Sequence, residues 1–170
     1  LAGQSITFNK GILVSSGTNL LILGDNVTAV SASDSSFVDG PVRKIGNDAF
    51  TFPIGKNDSI YASIAISAPS NVAHHFTAEY FNDDPDAFYD RDLKDVSLDH
   101  ISQCEYWILD RTNGTSNVSV TLSWNTPRSC GVTSLPDLAV ARWDGTQWKD
   151  HQNGGAGGTT VKGTIVSLGV

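Results

Sequence analysis

The chain has 170 residues, enough for one domain with its own core and no obligatory metal. Its net charge is −7, and 16 of its 18 acidic residues are Asp, which excludes the basic surface that nucleic-acid phosphates require. No apolar run reaches the length of a membrane-spanning helix, so no membrane insertion is expected.

Sixteen Gly residues, no Met, and runs rich in Val, Ile, Thr and Ser favour strands joined by tight turns. Residues 6–8 and 11–14 are short strand-like runs. Residues 20–23, Gly24-Asp25 and residues 26–30 read as a hairpin with a two-residue turn. Strand runs continue at 42–45, 49–54, 61–67 and 75–81. Residues 83–99 have no clean period and form a long acidic loop, the kind of segment that often carries function.

Asn113-Gly114 is a strong hairpin signal. Folding the chain there sets Leu109 opposite Val118, Trp107 opposite Val120 and Glu105 opposite Leu122, with the Trp107 face as core. The same register places Cys104 opposite Ser123. Cys130, beyond the turn Asn125-Thr126-Pro127, can loop back to it. The only two cysteines, Cys104 and Cys130, are therefore expected to form a disulfide in an oxidising compartment.

Asp144-Gly145 predicts a further hairpin, with Trp143 opposite Thr146 and Ala141 opposite Trp148. Residues 154–158 read as a flexible glycine-rich loop, and residues 161–168 as a last strand with a bulge at Gly163. These spacings predict an all-β chain, a β-sandwich of about ten short antiparallel strands in a single module over residues 1–170. Residues 1–35, with their short rungs, read alternatively as a β-solenoid-like edge element.

Several constellations are candidate sites. Asp83, Asp84, Asp86, Asp90 and Asp92, with Asp95 nearby, crowd one loop and supply the oxygen ligands calcium takes. They lack the Gly and closing Glu of an EF-hand, and the alternative is a solvated acidic loop. Trp143 and Trp148, with Arg142 beside them, suit a platform for stacking sugars, or else fill the core. His74, His75, His100 and His151 are the only histidines, and adjacent ones on a strand point to opposite faces, away from a shared metal. Glu79 and Glu105 are the only glutamates; glycoside hydrolysis needs two facing carboxylates, whereas Glu105 is equally explained by an ion pair with Lys44, Arg111 or Arg142. No nucleophile elbow is present and no glycine-rich loop leads into a helix, so no enzyme is expected. Asn-x-Ser/Thr triplets begin at Asn26, Asn57, Asn113 and Asn117, as chance allows in so polar a chain.

Four phrases occur in fixed order: Ser36-Phe37-Val38-Asp39-Gly40-Pro41-Val42-Arg43-Lys44, Phe50-Thr51-Phe52-Pro53-Ile54-Gly55, Glu105-Tyr106-Trp107-Ile108-Leu109-Asp110-Arg111, and Ala141-Arg142-Trp143-Asp144-Gly145-Thr146-Gln147-Trp148. Together they resemble a β-rich module of large secreted cell-surface proteins of Bacteroidetes-type bacteria, exported by the type IX route. The resemblance runs over roughly residues 5–168. It implies an extracellular or cell-surface location and a non-catalytic structural or adhesive role. It transfers no catalytic residue. Its partners would be other copies or other domains of the same surface protein, with polysaccharide as the alternative if the module serves a secreted enzyme as a carbohydrate-binding unit. Asp58-Ser59-Ile60 is similar to the short O-glycosylation motif of such proteins, which makes Ser59 a candidate acceptor. No leader pattern opens the chain at Leu1 and no sorting region comes after Leu168, so the chain reads as one module of something longer. A start in mid-strand suggests strand donation to a neighbour and growth into a filament.

Overall fold

The computed structural model describes residues 4–169, and the start at Leu1 lies outside them. The described chain is all-β, with several packed sheets and one 3-10 turn at Pro85–Ala87. It contains seventeen strands rather than about ten, because most span only two to four residues, too short to register as alternation. The chain divides into two compact units, Leu1–Phe81 with Trp107–Val118, and Asn82–Tyr106 with Ser119–Val170.

The first unit begins with three short coils. β1 (Gln4–Thr7), β2 (Leu13–Val14) and β3 (Leu21–Leu23) form one coil, and β4 (Val27–Val30), β5 (Val38–Asp39) and β6 (Val42–Ile45) the next. The coils stack in parallel register, Gln4 beside Val27, Leu13 beside Val38 and Leu21 beside Val42, offsets of 23, 25 and 21 residues. β7 (Phe50–Phe52) and β8 (Ile54–Lys56) open a third coil, and β8 extends the middle ladder with Val38 beside Ile54. Residues 4–35 are thus solenoid-like rungs laddered onto the strands of residues 38–56.

Antiparallel strands then take over. β9 (Ile60–Tyr61) folds back on β8 through Asn57 and Asp58, both at positive φ, the geometry of a tight reversal. β10 (Ile64–Ile66) pairs with β7, and β11 (His75–Phe81) pairs with β6. β12 (Tyr106–Asn113) lies outside β11, so this sheet runs β12-β11-β6-β3. β11 alternates cleanly, with Phe76, Ala78 and Tyr80 buried, and it packs near β8 over a core that includes Phe37, Val38, Phe52 and Ile54.

Two expected hairpins do not form. Neither Gly24 nor Asp25 adopts the positive φ that a two-residue reversal requires; only Asn26 does, so the chain turns a corner and β3 pairs with β6 instead. At Asn113-Gly114 only Gly114 is left-handed. The Arg111 guanidinium donates to the Thr115 and Ser116 carbonyls and to Asn117 Oδ1, holding the chain after Gly114 out of strand geometry.

The corner at residues 24–26 is held by a buried cation. Lys44 is 1 % exposed, and its ammonium donates to the Gly24 carbonyl at 2.6 Å and to Asp48 Oδ1 at 2.9 Å, with the Phe50 ring 5.3 Å away. Burial pushes the Asp48 carboxyl up, but the hydrogen bonds from Lys44 and from the Asn26 N–H outweigh it and hold the group below its ordinary range. At the neighbouring corner Gly40 has φ +122, and a Cβ there would strike the Ser15 carbonyl.

In the second unit β13 (Val120–Asn125) pairs antiparallel with β17 (Lys162–Val166), and β17 pairs with β16 (Ala156–Gly158). The stretch expected to be flexible thus contains a strand. Gly163 is not a bulge; it pairs with Trp124, and a Cβ would overlap the indole ring that lies across it. Trp124, Val140 and Ile165 form a core edged by Leu122, Leu135 and Leu138.

Cys104 and Cys130 form the expected disulfide, with Cα atoms 5.8 Å apart. Glu105 and Arg128 pair next to it, both buried, and Arg128 Nη2 also donates to Ser123 Oγ at 2.9 Å. Arg128, which pairs with Glu105, is a cation that the sequence reading did not name.

Lys44 and the disulfide each lend themselves to a stability measurement. Lys44→Ala strands Asp48 and the Gly24 carbonyl, and a urea titration should register a loss of about 3 kcal/mol or more, with Lys44→Met losing less. An unchanged midpoint would mean that the buried ammonium is not holding the corner. The cysteines are separated by 26 positions, and loop-closure entropy gives their bond about 3.5 kcal/mol, so Cys104→Ser/Cys130→Ser should melt at a clearly lower temperature than the oxidised protein.

Candidate functional site

The acidic loop and the tryptophan hairpin, separate in the sequence, meet in the second unit. The hairpin consists of β14 (Ala141–Trp143) and β15 (Trp148–Asp150), with Trp143 directly opposite Trp148. The turn is four residues long rather than two, which shifts the register by two from the expected Ala141–Trp148 pairing. Asp144 causes this. Its Oδ1 accepts from the Thr146 and Gln147 backbone N–H groups and from the Thr146 hydroxyl, while its own N–H donates to the Gln147 carbonyl. Those bonds lower the Asp144 carboxyl from 3.8 to about 2.

The loop is strapped to this hairpin by backbone bonds. Trp148 N–H donates to the Leu93 carbonyl at 2.8 Å, and Asp95 N–H to the Trp148 carbonyl at 2.9 Å. Asp95 is the hub. Its carboxylate accepts from the Asp150 N–H at 3.0 Å, from Lys149 Nζ at 3.1 Å and from Gln147 Nε2 at 3.2 Å. The Asp150 N–H and then the Lys149 ammonium hold the Asp95 carboxyl below its usual range. The Ser97 hydroxyl donates to Asp150 Oδ2, and Trp148 Nε1 donates to the Tyr89 carbonyl.

Aromatic rings fill the space under this strap. Tyr89 lies 5.9 Å from Trp143, 6.1 Å from Trp148 and 5.7 Å from Tyr106, and the two tryptophans meet edge to face at 5.8 Å. Trp148 is buried with Leu98 and Ile101, and Trp143 is half-buried against them. Arg142 is exposed and donates from Nε to His151. The expected platform of Trp143, Trp148 and Arg142 therefore presents little indole face to solvent. The outward aromatic is Phe88, 75 % exposed and 6.4 Å from Tyr89, with Leu93 and Val96 also exposed along the loop. Sequence reading missed Phe88; its only signal was an aromatic in an otherwise polar loop.

Four of the five loop aspartates named as calcium candidates accept backbone N–H groups from within the loop. Asp83 accepts from Asp84 N–H, Asp84 from Asp86 N–H, Asp86 from Arg91 N–H and Asp90 from Asp92 N–H. Arg91 also pairs with Asp84 at 2.8 Å and Asp86 at 3.7 Å. Among the described residues no three His, Cys, Asp or Glu side chains converge as metal ligands would.

The remaining candidates are dispersed. Glu79 sits on β11 with Lys56 at 3.9 Å, and burial raises its carboxyl despite that cation. Glu105 is engaged by Arg128. In the first unit His74 Nδ1 lies 2.5 Å from Ser116 Oγ, which also accepts from the Ser70 N–H, and Ser116 is buried. His75 begins β11, His100 pairs with Asp99, and His151 meets Arg142. Ser59 is exposed in the β8–β9 turn. A shallow hollow of about 390 Å³ is lined by Leu135, Pro136, Asn153 and Ala156, with no titratable group.

No family model, curated protein or solved structure matches the chain.

The Asp144 depression fixes a pH dependence. A carboxyl lowered on folding contributes stability that is present above its ordinary 3.8 and lost as pH falls through about 2. An NMR titration should place the Asp144 midpoint near 2, and Asp144→Ala should lower the melting temperature at neutral pH but much less below pH 2. A midpoint at 3.8 would mean that the turn bonds do not persist in solution.

Proposed function

We propose that the chain is a non-catalytic structural and adhesive module of a secreted or cell-surface bacterial protein, of the kind its four phrases resemble. The observation that carries this reading is the strapped loop. Asp95 and the Trp148 backbone hold a segment of some seventeen residues rigid, with apolar side chains facing out and Asp side chains around them. A rigid loop loses little entropy on contact, which suits a docking surface on another domain or another copy. The disulfide fits a compartment outside the reducing cytoplasm. The glutamates support the same reading, since each is engaged by a basic side chain.

A second reading, carbohydrate binding, draws on one observation: Phe88 stands exposed beside Tyr89, whose ring in turn meets Trp143, and offers an aromatic side chain against which a sugar ring can stack.

Tryptophan emission of the purified chain, titrated with soluble polysaccharides, separates the two. The structural reading expects blue-shifted emission that no glycan moves, and no release of chromophore from aryl glycosides. Saturable quenching by a polysaccharide, weakened at least about tenfold in Phe88→Ala, would replace it with the carbohydrate-binding reading. Turnover of a glycoside would overturn both.

A further inference from the structure

We infer that Asn113-Gly114 is a self-modification site, where the Asn113 side chain cyclises onto the Gly114 backbone nitrogen with the His74 imidazole as base, then opens to aspartate or isoaspartate. The bond that forms joins Gly114 N to Asn113 Cγ, and the bond that breaks is Cγ–Nδ2. The Gly114 amide proton passes to the base and on to the departing nitrogen, which leaves as ammonia. Water then opens the succinimide at either carbonyl. Nothing is oxidised or reduced, and water is the one co-reactant.

The chain has two Asn-Gly pairs, at residues 113–114 and 153–154, and the fold treats them in opposite ways. At the second pair the nucleophile is occupied, because Gly154 N–H donates to the Val166 carbonyl at 2.8 Å. The Asn153 amide is gripped at both ends, with Nδ2 donating to the Leu135 carbonyl at 3.0 Å and Oδ1 accepting from the Gly155 N–H at 3.0 Å. At the first pair both residues are exposed, and Gly114 N–H has no hydrogen-bond partner among the described residues. The Asn113 amide is held there at one end, by Nδ2 donating to the Ala73 carbonyl at 2.7 Å.

Gly114 has a φ of +92, a conformation that favours a residue without a side chain, and the missing side chain leaves its nitrogen unshielded. His74 fills the space a side chain would take. A Cβ on Gly114 would overlap the imidazole and fall 2.6 Å from Nε2. Nε2 is therefore within about 5 Å of the Gly114 nitrogen, a gap that one water spans. The other ring nitrogen, Nδ1, is occupied by Ser116 Oγ at 2.5 Å. In the tautomer that acts, Nδ1–H donates to Ser116 Oγ, whose own proton goes to Ser70 Oγ at 2.8 Å, and Nε2 presents its lone pair to the turn. The product carboxylate cannot restore the bond to Ala73, since it sets an acceptor against a carbonyl. An isoaspartate also adds a methylene to the main chain at the end of β12.

This inference is independent of the adhesive reading, and either can fail alone. The test holds the 170-residue chain at neutral pH and body temperature for several weeks and follows it by tryptic mapping with isoaspartate detection. Asn113 falls in peptide 112–128 and Asn153 in peptide 150–162, so the two sites are read separately. In the folded chain, conversion should run at least about tenfold faster at Asn113 than at Asn153. In concentrated urea with the disulfide reduced, both pairs lose their surroundings and the two rates should come within about threefold of each other. His74→Asn keeps a donor for Ser116 at the place of Nδ1 and deletes Nε2, so it should melt close to the parent yet slow conversion at Asn113 at least about fivefold. His74→Phe, which keeps a ring against Gly114, should slow it likewise. Equal rates at the two sites in the folded chain, a bias toward Asn113 that survives in urea, or an unaltered rate in either folded variant would each overturn the inference.

Discussion

The first unit depends on a corner that must bury a charge. Parallel rungs cannot be closed by tight turns, so each coil has to change direction three times while leaving few backbone groups unsatisfied. At the corner after β3 the Gly24 carbonyl turns inward, and the Lys44 ammonium meets it there together with Asp48. Those bonds join a turn of one coil to the strand and turn of the next. An apolar side chain of similar length would fill the space and leave the carbonyl without its donor. The Phe50 ring beside the ammonium completes an environment in which a lysine is more useful than a leucine.

The second unit solves a different problem with different means. It has long irregular segments, and it fixes them by cross-links at their bases. The Cys104–Cys130 bond and the Glu105–Arg128 pair join the same two stretches, one covalently and one by charge. A buried pair of this kind adds direction more than net stability, since desolvation offsets much of its attraction. Farther along, Asp95 performs the same service for the loop, with a carboxylate that is satisfied by groups from β15 and the turn before it.

The all-β class was legible because Val, Ile and Thr runs and turn residues are local signals. The disulfide was legible because there were only two cysteines, although the route to it was mistaken: β12 and β13 are not a hairpin. Gly24-Asp25 and Asn113-Gly114 failed as hairpins because a dipeptide carries the capacity for a reversal and not its φ values, which long-range pairing decides. Parallel ladders were under-read for the same reason; nothing in residues 4–7 announces that residues 27–30 will lie beside them. The acidic loop and the tryptophans were each singled out, but their union was invisible. It is made by backbone bonds of Leu93, Asp95 and Trp148, which side-chain chemistry does not report. Arg128 and Phe88 were missed, and Lys44 was named only as a partner for Glu105, since a single charged or aromatic residue in a strand or loop says nothing about burial.

The ladder offsets also order events in time. A rung at residue 13 has no partner until residue 38 exists and has come round to it, so the coils form only by closing loops of some twenty residues, and parallel pairing of this span is slow. The Asp144 turn needs about ten residues and closes on the microsecond scale. A chain emerging from its amino terminus would therefore pass a period in which its first strands, uncharged and unpaired, wait beside whatever else is extended and apolar. The segment that folds into the quietest corner of the native molecule is the one most exposed to misassociation on the way there.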